Sequence, residues 1–154
     1  MIEVRPTVEG DAERMAPRMR QADIDEVRAA SGKHHYIALL DSIEASTECY
    51  TAWVRNSPIA IFGVCRDGNE SIGCIWLLGT DFIGEHQIDF LRKSRDWIEE
   101  FQNRYSVLYN NIDARNTVHI KWLQWLGFTF INHFPEYGAE GRSFYQFVRI
   151  KTNV

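Results

Sequence analysis

The alternation and clustering of apolar positions predict a definite order of strands and helices. Ile2 and Val4 alternate with polar residues and run into Arg5-Pro6-Thr7, a short first strand stopped by proline. Ala12, Met15, Ala16 and Met19 fall on one stripe of a helix over 11–19, which Pro17 interrupts or kinks. A second helix starts at Asp23, turns Ile24, Val27 and Ala30 inward and stops at Gly32. After a polar loop of Lys33, His34, His35 and Tyr36, residues 37–45 read as a short helix. An antiparallel meander follows, with strands over 48–54, 59–65 and 71–78. Its turns are Asn56-Ser57-Pro58 and residues 66–70, where Asp67-Gly68 is a strong hairpin signal. The run 72–78 is apolar on both faces, as expected of a central strand covered by helices.

A long helix is expected over 86–105, with Ile88, Leu91, Trp97, Ile98 and Phe101 as its buried stripe. Arg92, Lys93, Arg95, Glu99, Glu100 and Arg104 supply its solvated face. The stretch VLYNNIDARNTVHIKWLQWLGFTF, 107–130, organises the rest. It reads as a strand over 107–112, unusual for Asn110 and Asn111, then a turn at Asp113-Ala114-Arg115. Asn116 stands at the N-cap, where its side-chain oxygen takes an orphan N–H. Val118, Trp122, Leu123, Trp125 and Leu126 recur at helical spacing, with Trp122, Leu123 and Leu126 facing the sheet, and Gly127 makes the left-handed exit. The strand, helix and strand from 71 to 112 predict a right-handed parallel crossover. Residues 128–133 and 143–150 form a last hairpin around a loop holding Gly138 and Gly141. No repeat, low-complexity segment or linker divides the chain, so one α/β domain over 1–154 is expected.

Composition narrows the class. With 154 residues, 45% hydrophobic and 25% charged, the chain is sized for one ordinary globular core. A net charge of −4 argues against nucleic acid as the main partner. No stretch approaches the length of a membrane span and no signal-peptide pattern follows Met1, so the expectation is no membrane and a cytoplasmic address. Cys49, Cys65 and Cys74 are odd in number, lack a C-x-x-C spacing and lie in apolar runs; they read as buried small hydrophobes, not a disulfide or metal set.

An Asn opening a helix, followed eleven residues later by Gly-Phe, as in Asn116 and Gly127-Phe128, is similar to the end of the GCN5-related N-acetyltransferase (GNAT) fold. The family's usual tyrosine position in that helix is held here by Leu123. The opening Ile-x-Val-Arg-Pro-Thr and the order β-α-α, β-β-β, α-β-α-β-β match the same family over essentially the whole chain. The resemblance implies an α/β fold of the acetyltransferase type, a mixed and mostly antiparallel sheet flanked by helices, whose fourth and fifth strands splay apart. It implies further that acetyl-CoA or another acyl-CoA lays its pantetheine along 72–78, touching Ile75, Trp76 and Leu78, with Asn116 flanking the cleft. The pyrophosphate would sit on the following helix N-terminus, near Gly84 and His86. The family's phosphate loop reads Arg/Gln-x-x-Gly-x-Gly/Ala, whereas Asp81-Phe82-Ile83-Gly84-Glu85-His86 keeps one glycine and adds two carboxylates. Like charge weakens phosphate binding there, and a protonated His86 offsets part of it; alternatively Gly84 is only a turn before a helix.

Acyl transfer to an amine needs a neutral amine, a donor for the carbonyl oxygen and an acid for the thiolate. Asp113 serves as the base or simply shapes its turn; Tyr109 substitutes as the acid or packs in the core. His119, on the first turn of the last helix, faces the cleft, faces solvent or packs. The chain also resembles the gene-13-type internal virion proteins of T7-like podoviruses. The matching fragments are the opening strand, Ala45-Ser46-x-Glu48-Cys49, Pro58-Ile59-Ala60-Ile61 with Gly63 beyond, Leu108-Tyr109-Asn110 and Asn116-Thr117-x-His119-Ile120. Two functions follow from these resemblances. One is an acyl-CoA-dependent N-acyltransferase with an atypical cleft, weakly held coenzyme and an amine substrate. The other is a non-catalytic phage or prophage protein that keeps the fold and takes virion or assembly proteins as partners.

Overall fold

The computed structural model describes residues 1–152, and for 69 and 70 the backbone alone. Seven strands build one sheet: β1 Ile2–Pro6, β2 Glu48–Val54, β3 Ser57–Asp67, β4 Asn69–Gly79, β5 Val107–Asp113, β6 Thr129–Tyr137 and β7 Arg142–Ile150. Their order is β1-β2-β3-β4-β5-β7-β6. Only the β4–β5 pairing is parallel, as the intervening helix requires. The remaining neighbours are antiparallel.

Helices cover both faces. On one lie α1 Asp11–Met15, α2 Gln21–Ser31 and α3 His35–Ala45, where Ala12, Met15 and Leu39 pack on Ile61 and Leu78. Pro17 tightens the end of α1 into a 3₁₀ turn, Ala16–Arg18. On the other face, after a short α4 Phe82–Glu85, lie α5 Gln87–Gln102 and α6 Thr117–Trp125. Their Phe90, Leu91, Ile98, Phe101 and Trp122 pack on Ala60, Val64 and Leu108. Each such buried side chain contributes on the order of 1.5–3 kcal/mol.

One helix phase differs from the sequence expectation. Ile88 is 71% exposed and Phe90 takes its place, because at roughly 100° per residue Ile88 lies to the side of the Leu91–Ile98–Phe101 stripe. In α6 the buried stripe is His119, Trp122 and Leu126, with Leu123 half-buried against the same core. Val118 and Trp125 lie outward, and Trp125 is covered by the Arg95 guanidinium 4.0 Å from its ring centroid. Gly127, at φ 90°, ends α6 in the left-handed conformation, and the Phe128 N–H returns to the Leu123 carbonyl. The three cysteines are free thiols and half-buried, not fully buried. Among the described residues no helix is long and apolar enough to cross a membrane.

Candidate functional site

β4 and β5 pair only through Ile72–Val107, Gly73–Leu108 and Cys74–Tyr109. The next bond of a parallel ladder would run from the Asn111 N–H to the Ile75 carbonyl. Instead the Asn110 side chain intervenes: its carbonyl oxygen takes the Asn111 N–H at 2.7 Å and its NH₂ donates to the Ile75 carbonyl. An amide side chain between two backbones holds them further apart than a direct bond does. β5 stays with β7 along its whole length, so the sheet opens on the β4 side. The asparagines that look out of place in a strand are the wedge.

Beyond the wedge, the Gly79 N–H donates to Asp23 Oδ2 at 3.0 Å, and the Gly79 carbonyl accepts from the Arg20 N–H at 2.8 Å. Since β3 holds the other edge of β4, the alternation of the ladder turns the Leu77 N–H and carbonyl to this same open side. No hydrogen bond from the described residues reaches them there. The gap opens into a cavity of about 290 Å³ that reaches both faces of the sheet, walled by Leu77, Phe90, Trp122 and Leu123 and, toward α2, by Val27 and Glu26.

Helix α2 closes the open end. Asp23 and Glu26, one turn apart, share a face, and each receives an N–H orphaned by the splay: Gly79 on Asp23, and Asp113 on Glu26 Oε1 at 3.1 Å. The Asn116 NH₂ bridges the two carboxylates at 3.3 and 3.2 Å. Arg20 bonds Asp23 at 3.0 Å and His119 Nε2 at 2.6 Å. Arg20 can only donate, so Nε2 accepts and the His119 proton sits on Nδ1, 3.5 Å from Asp23 Oδ1. Burial raises Asp23 to about 6 against the pull of Arg20. Burial, and then the neighbouring Asp23 charge, push Glu26 up to about 8. Burial and the Arg20 charge lower His119 to about 3, so it is neutral at ordinary pH.

The residues singled out from sequence divide sharply. Ile75, Trp76 and Leu78 do line the cavity, as does His119. His119 faces the cleft but has both ring nitrogens engaged. Asn116 makes no side-chain cap, contrary to expectation: its NH₂ is turned inward to the α2 carboxylates, and its Oδ1 is buried without a partner among the described residues. Asp113 is not a free base. Burial alone would raise its carboxyl, but the Arg115 hydrogen bonds, down to 2.7 Å, and charge outweigh this and hold it below the ordinary range. Tyr109 is off the cavity wall; its hydroxyl donates to Asp67, and burial with that bond raises its pKa far above the usual value. Asp23, Glu26, Tyr137 and the Leu77 backbone were missed, whereas Asn111 stood out as unusual in a strand. The one available signal was a pair of carboxylates at i and i+3 beside Ile24 and Val27.

Gly84 and His86 lie apart from the cavity, in a segment wound onto itself. The N–H groups of Ile83, Gly84 and His86 donate to the carbonyls of Thr80, Asp81 and Ile83 at 3.2, 3.1 and 3.1 Å. Nothing lies within 4 Å of the position a Gly84 Cβ would take. Asp81 and Glu85 are exposed, and Asp89 in the first turn of α5 already binds the Ile2 N–H. Those three loop donors are therefore spent locally, whereas no hydrogen bond among the described residues engages the N–H groups of Gln87, Ile88 and Asp89 in the first turn of α5.

The fold is shared with solved acetyltransferases. The chain matches the Bacillus anthracis acetyltransferase of the GNAT family with a TM-score of 0.74 and 9% identity, covering 97% of this chain and 94% of that one. It matches the Bacillus subtilis acetyltransferase in complex with CoA at 0.69 and 13% identity, covering 99% and 100%. The fold is that of the GCN5-related N-acetyltransferases. In sequence, this acetyltransferase-fold chain is 29% identical over 146 residues, 92% of its length and 93% of the relative's, to the Escherichia phage T7 protein named "Probable scaffold protein gp13". No family model matches it.

Proposed function

We propose that the chain is an N-acyltransferase whose cleft grips the thioester end of an acyl-CoA and holds the nucleotide end weakly. The observation that carries this reading is the Leu77 peptide, turned with both hydrogen-bonding groups free into an apolar gap. An extended pantetheine there completes the interrupted ladder, its amide pairing with Leu77 as a strand would. The Leu77 N–H, or a neighbouring donor on the same edge, then offers a hydrogen bond to the oxyanion that forms at the thioester carbonyl. The residues fit the pantetheine arm. They suit the pyrophosphate poorly, since the Ile83, Gly84 and His86 N–H groups are engaged and Asp81 and Glu85 stand exposed beside them, which leaves the first turn of α5 as the remaining anion donors. Leu123 on the cavity wall supplies no proton to the thiolate.

Calorimetry tests this directly. Acetyl-CoA is expected to bind with a Kd weaker than about 100 µM, roughly −5.5 kcal/mol, and S-acetylpantetheine nearly as tightly. Absence of binding by both compounds at millimolar concentration overturns the reading; low-micromolar acetyl-CoA binding overturns the account of the loop.

A second reading, an assembly protein that keeps the fold without its chemistry, is favoured by the near full-length similarity to the T7 protein. Complementation of T7 lacking gp13 tests it. Rescue by wild type and equally by Leu77→Pro, which removes the free N–H, supports an assembly role without acyl transfer.

A further inference from the structure

The sheet register sets cysteines side by side that lie apart along the chain. Cys65 on β3 and Cys74 on β4 are direct partners in an antiparallel pair, so their side chains leave the sheet on the same face. In the same register the Thr80 N–H donates to the Ile59 carbonyl, and the alternation of the ladder makes Cys65–Cys74 a hydrogen-bonded pair of that kind. Such partners hold their Cα atoms about 5.5 Å apart, within the range a disulfide takes. Their Cβ atoms lie roughly 1 Å further apart than in a relaxed disulfide, so closing one asks for a small strand adjustment. Both thiols are free and half-buried. The Ser46 hydroxyl, just past α3, lies 3.6 Å from the Cys65 sulfur, and Tyr109 is the β5 partner of Cys74 on the other side. Cys49 pairs with Gly63, so it stands diagonal to Cys65 and roughly 7–8 Å away.

We propose that Cys65 and Cys74 form a reversible dithiol–disulfide site, oxidised by exchange with a small disulfide of the glutathione type. The site stands on the β3–β4 register and uses no part of the acyltransferase reading. In the first step the Cys65 thiolate attacks one sulfur of the small disulfide. Its S–S bond breaks, a mixed disulfide forms on Cys65, and one small thiolate leaves and takes up a proton in place of the one Cys65 released. The Cys74 thiolate then attacks the Cys65 sulfur, the mixed bond breaks, and the second small thiolate leaves and is protonated in turn. The protein loses two electrons and two protons, and the small disulfide becomes two thiols. The order of attack follows from the surroundings. Burial, and then the Cys65 and Asp67 charges, push the Cys74 thiol up to about 12, which leaves little thiolate there to begin the exchange. Once Cys65 carries the mixed disulfide it holds no charge, and one of those causes is gone. The strand adjustment that closure demands makes the finished bond easy to reduce, unlike a relaxed structural disulfide.

The test is incubation of the native full chain with oxidised glutathione at about pH 8, then alkylation of the remaining thiols and mass spectrometry. The wild type is expected to lose two hydrogens, to keep Cys49 open to alkylation and to yield a linked Cys65–Cys74 peptide. Millimolar reduced glutathione should reopen the link without denaturant. Cys49→Ser should close the same link, whereas Cys74→Ser should stop with one glutathione held on Cys65. A wild type that stays fully alkylatable, ends as glutathione adducts, links through Cys49 or forms the Cys65–Cys74 link only in denaturant overturns the site. Should a serine variant unfold, the wild-type peptide map decides alone.

Discussion

Glu26→Gln makes a stability experiment whose size follows from the structure. A carboxyl that titrates at 4.5 in the unfolded chain and about 8 in the native state is neutral in one and charged in the other across the whole interval. The unfolded chain then binds fewer protons than the folded one, so this residue makes stability fall as pH rises from 4.5 to 8, and changes nothing above. At about 1.4 kcal/mol per pH unit the full interval corresponds to roughly 5 kcal/mol, a large part of the stability of a domain this size. Glutamine keeps the acceptor for Asp113 and Asn116 but has no proton to lose. Urea unfolding of both proteins at pH 5, 6.5 and 8 provides the assay, with m-values checked for equality. The variant's advantage over wild type is expected to grow by at least about 2 kcal/mol from pH 5 to pH 8. A difference that stays flat over that range refutes the burial argument for Glu26, and with it the claim that α2 brings an ionisable group into the gap.

The other predictions address the neighbours. Asn116→Ala is expected to cost about 1–3 kcal/mol through the lost bridge between carboxylates, not through a lost cap, and to move the Glu26 and Asp23 midpoints further up in carboxyl NMR titrations. The His119 ring signals should not shift between about pH 7 and pH 4; because its folded pKa is lowered to about 3, this residue takes away stability as pH falls below 6.5, and His119→Gln should remove that slope. Asp81→Arg combined with Glu85→Gly should tighten acetyl-CoA severalfold by charge, since the Ile83, Gly84 and His86 donors remain engaged, and calorimetry showing no change refutes the electrostatic part of the account. Added salt should strengthen wild-type binding of acetyl-CoA by screening those carboxylates, the reverse of its effect on an ordinary phosphate site.

The sheet was legible because half-buried strands write a period of two and glycine marks their ends. The β2 boundaries and the Gly127 stop read directly from the residues. Helix phase was less so. Ile88 and Phe90 in α5 are equally apolar, and only the sheet beneath decides which is covered. The site was least legible. Asp23 and Glu26 have the composition of any solvated helix face, and what makes them special is that two strands end against them with an unpaired N–H each. Asp113 and Tyr109 looked chemically apt, but the partners that neutralise them, Arg115 and Asp67, could not be assigned to them from spacing alone.

The departures from the acetyltransferase pattern then share one electrostatic consequence. Exposed carboxylates at Asp81 and Glu85 set negative charge beside the Gly84 loop, while Glu26, held at about 8, is mostly neutral at pH 7. A chain with a net charge of −4 that engages the Ile83, Gly84 and His86 N–H groups on its own carbonyls offers a nucleotide anion less than an uncharged open loop would. On the proposed acyltransferase reading, the Leu77 edge remains available to the thioester arm. Loss of the phosphate cradle is therefore no evidence that the cleft is idle. Nor does Glu26 mark a working cleft by itself: it accepts the orphaned Asp113 N–H and the Asn116 NH₂, a structural use that an inert core needs equally, so the S-acetylpantetheine titration is what separates an idle cleft from a working one.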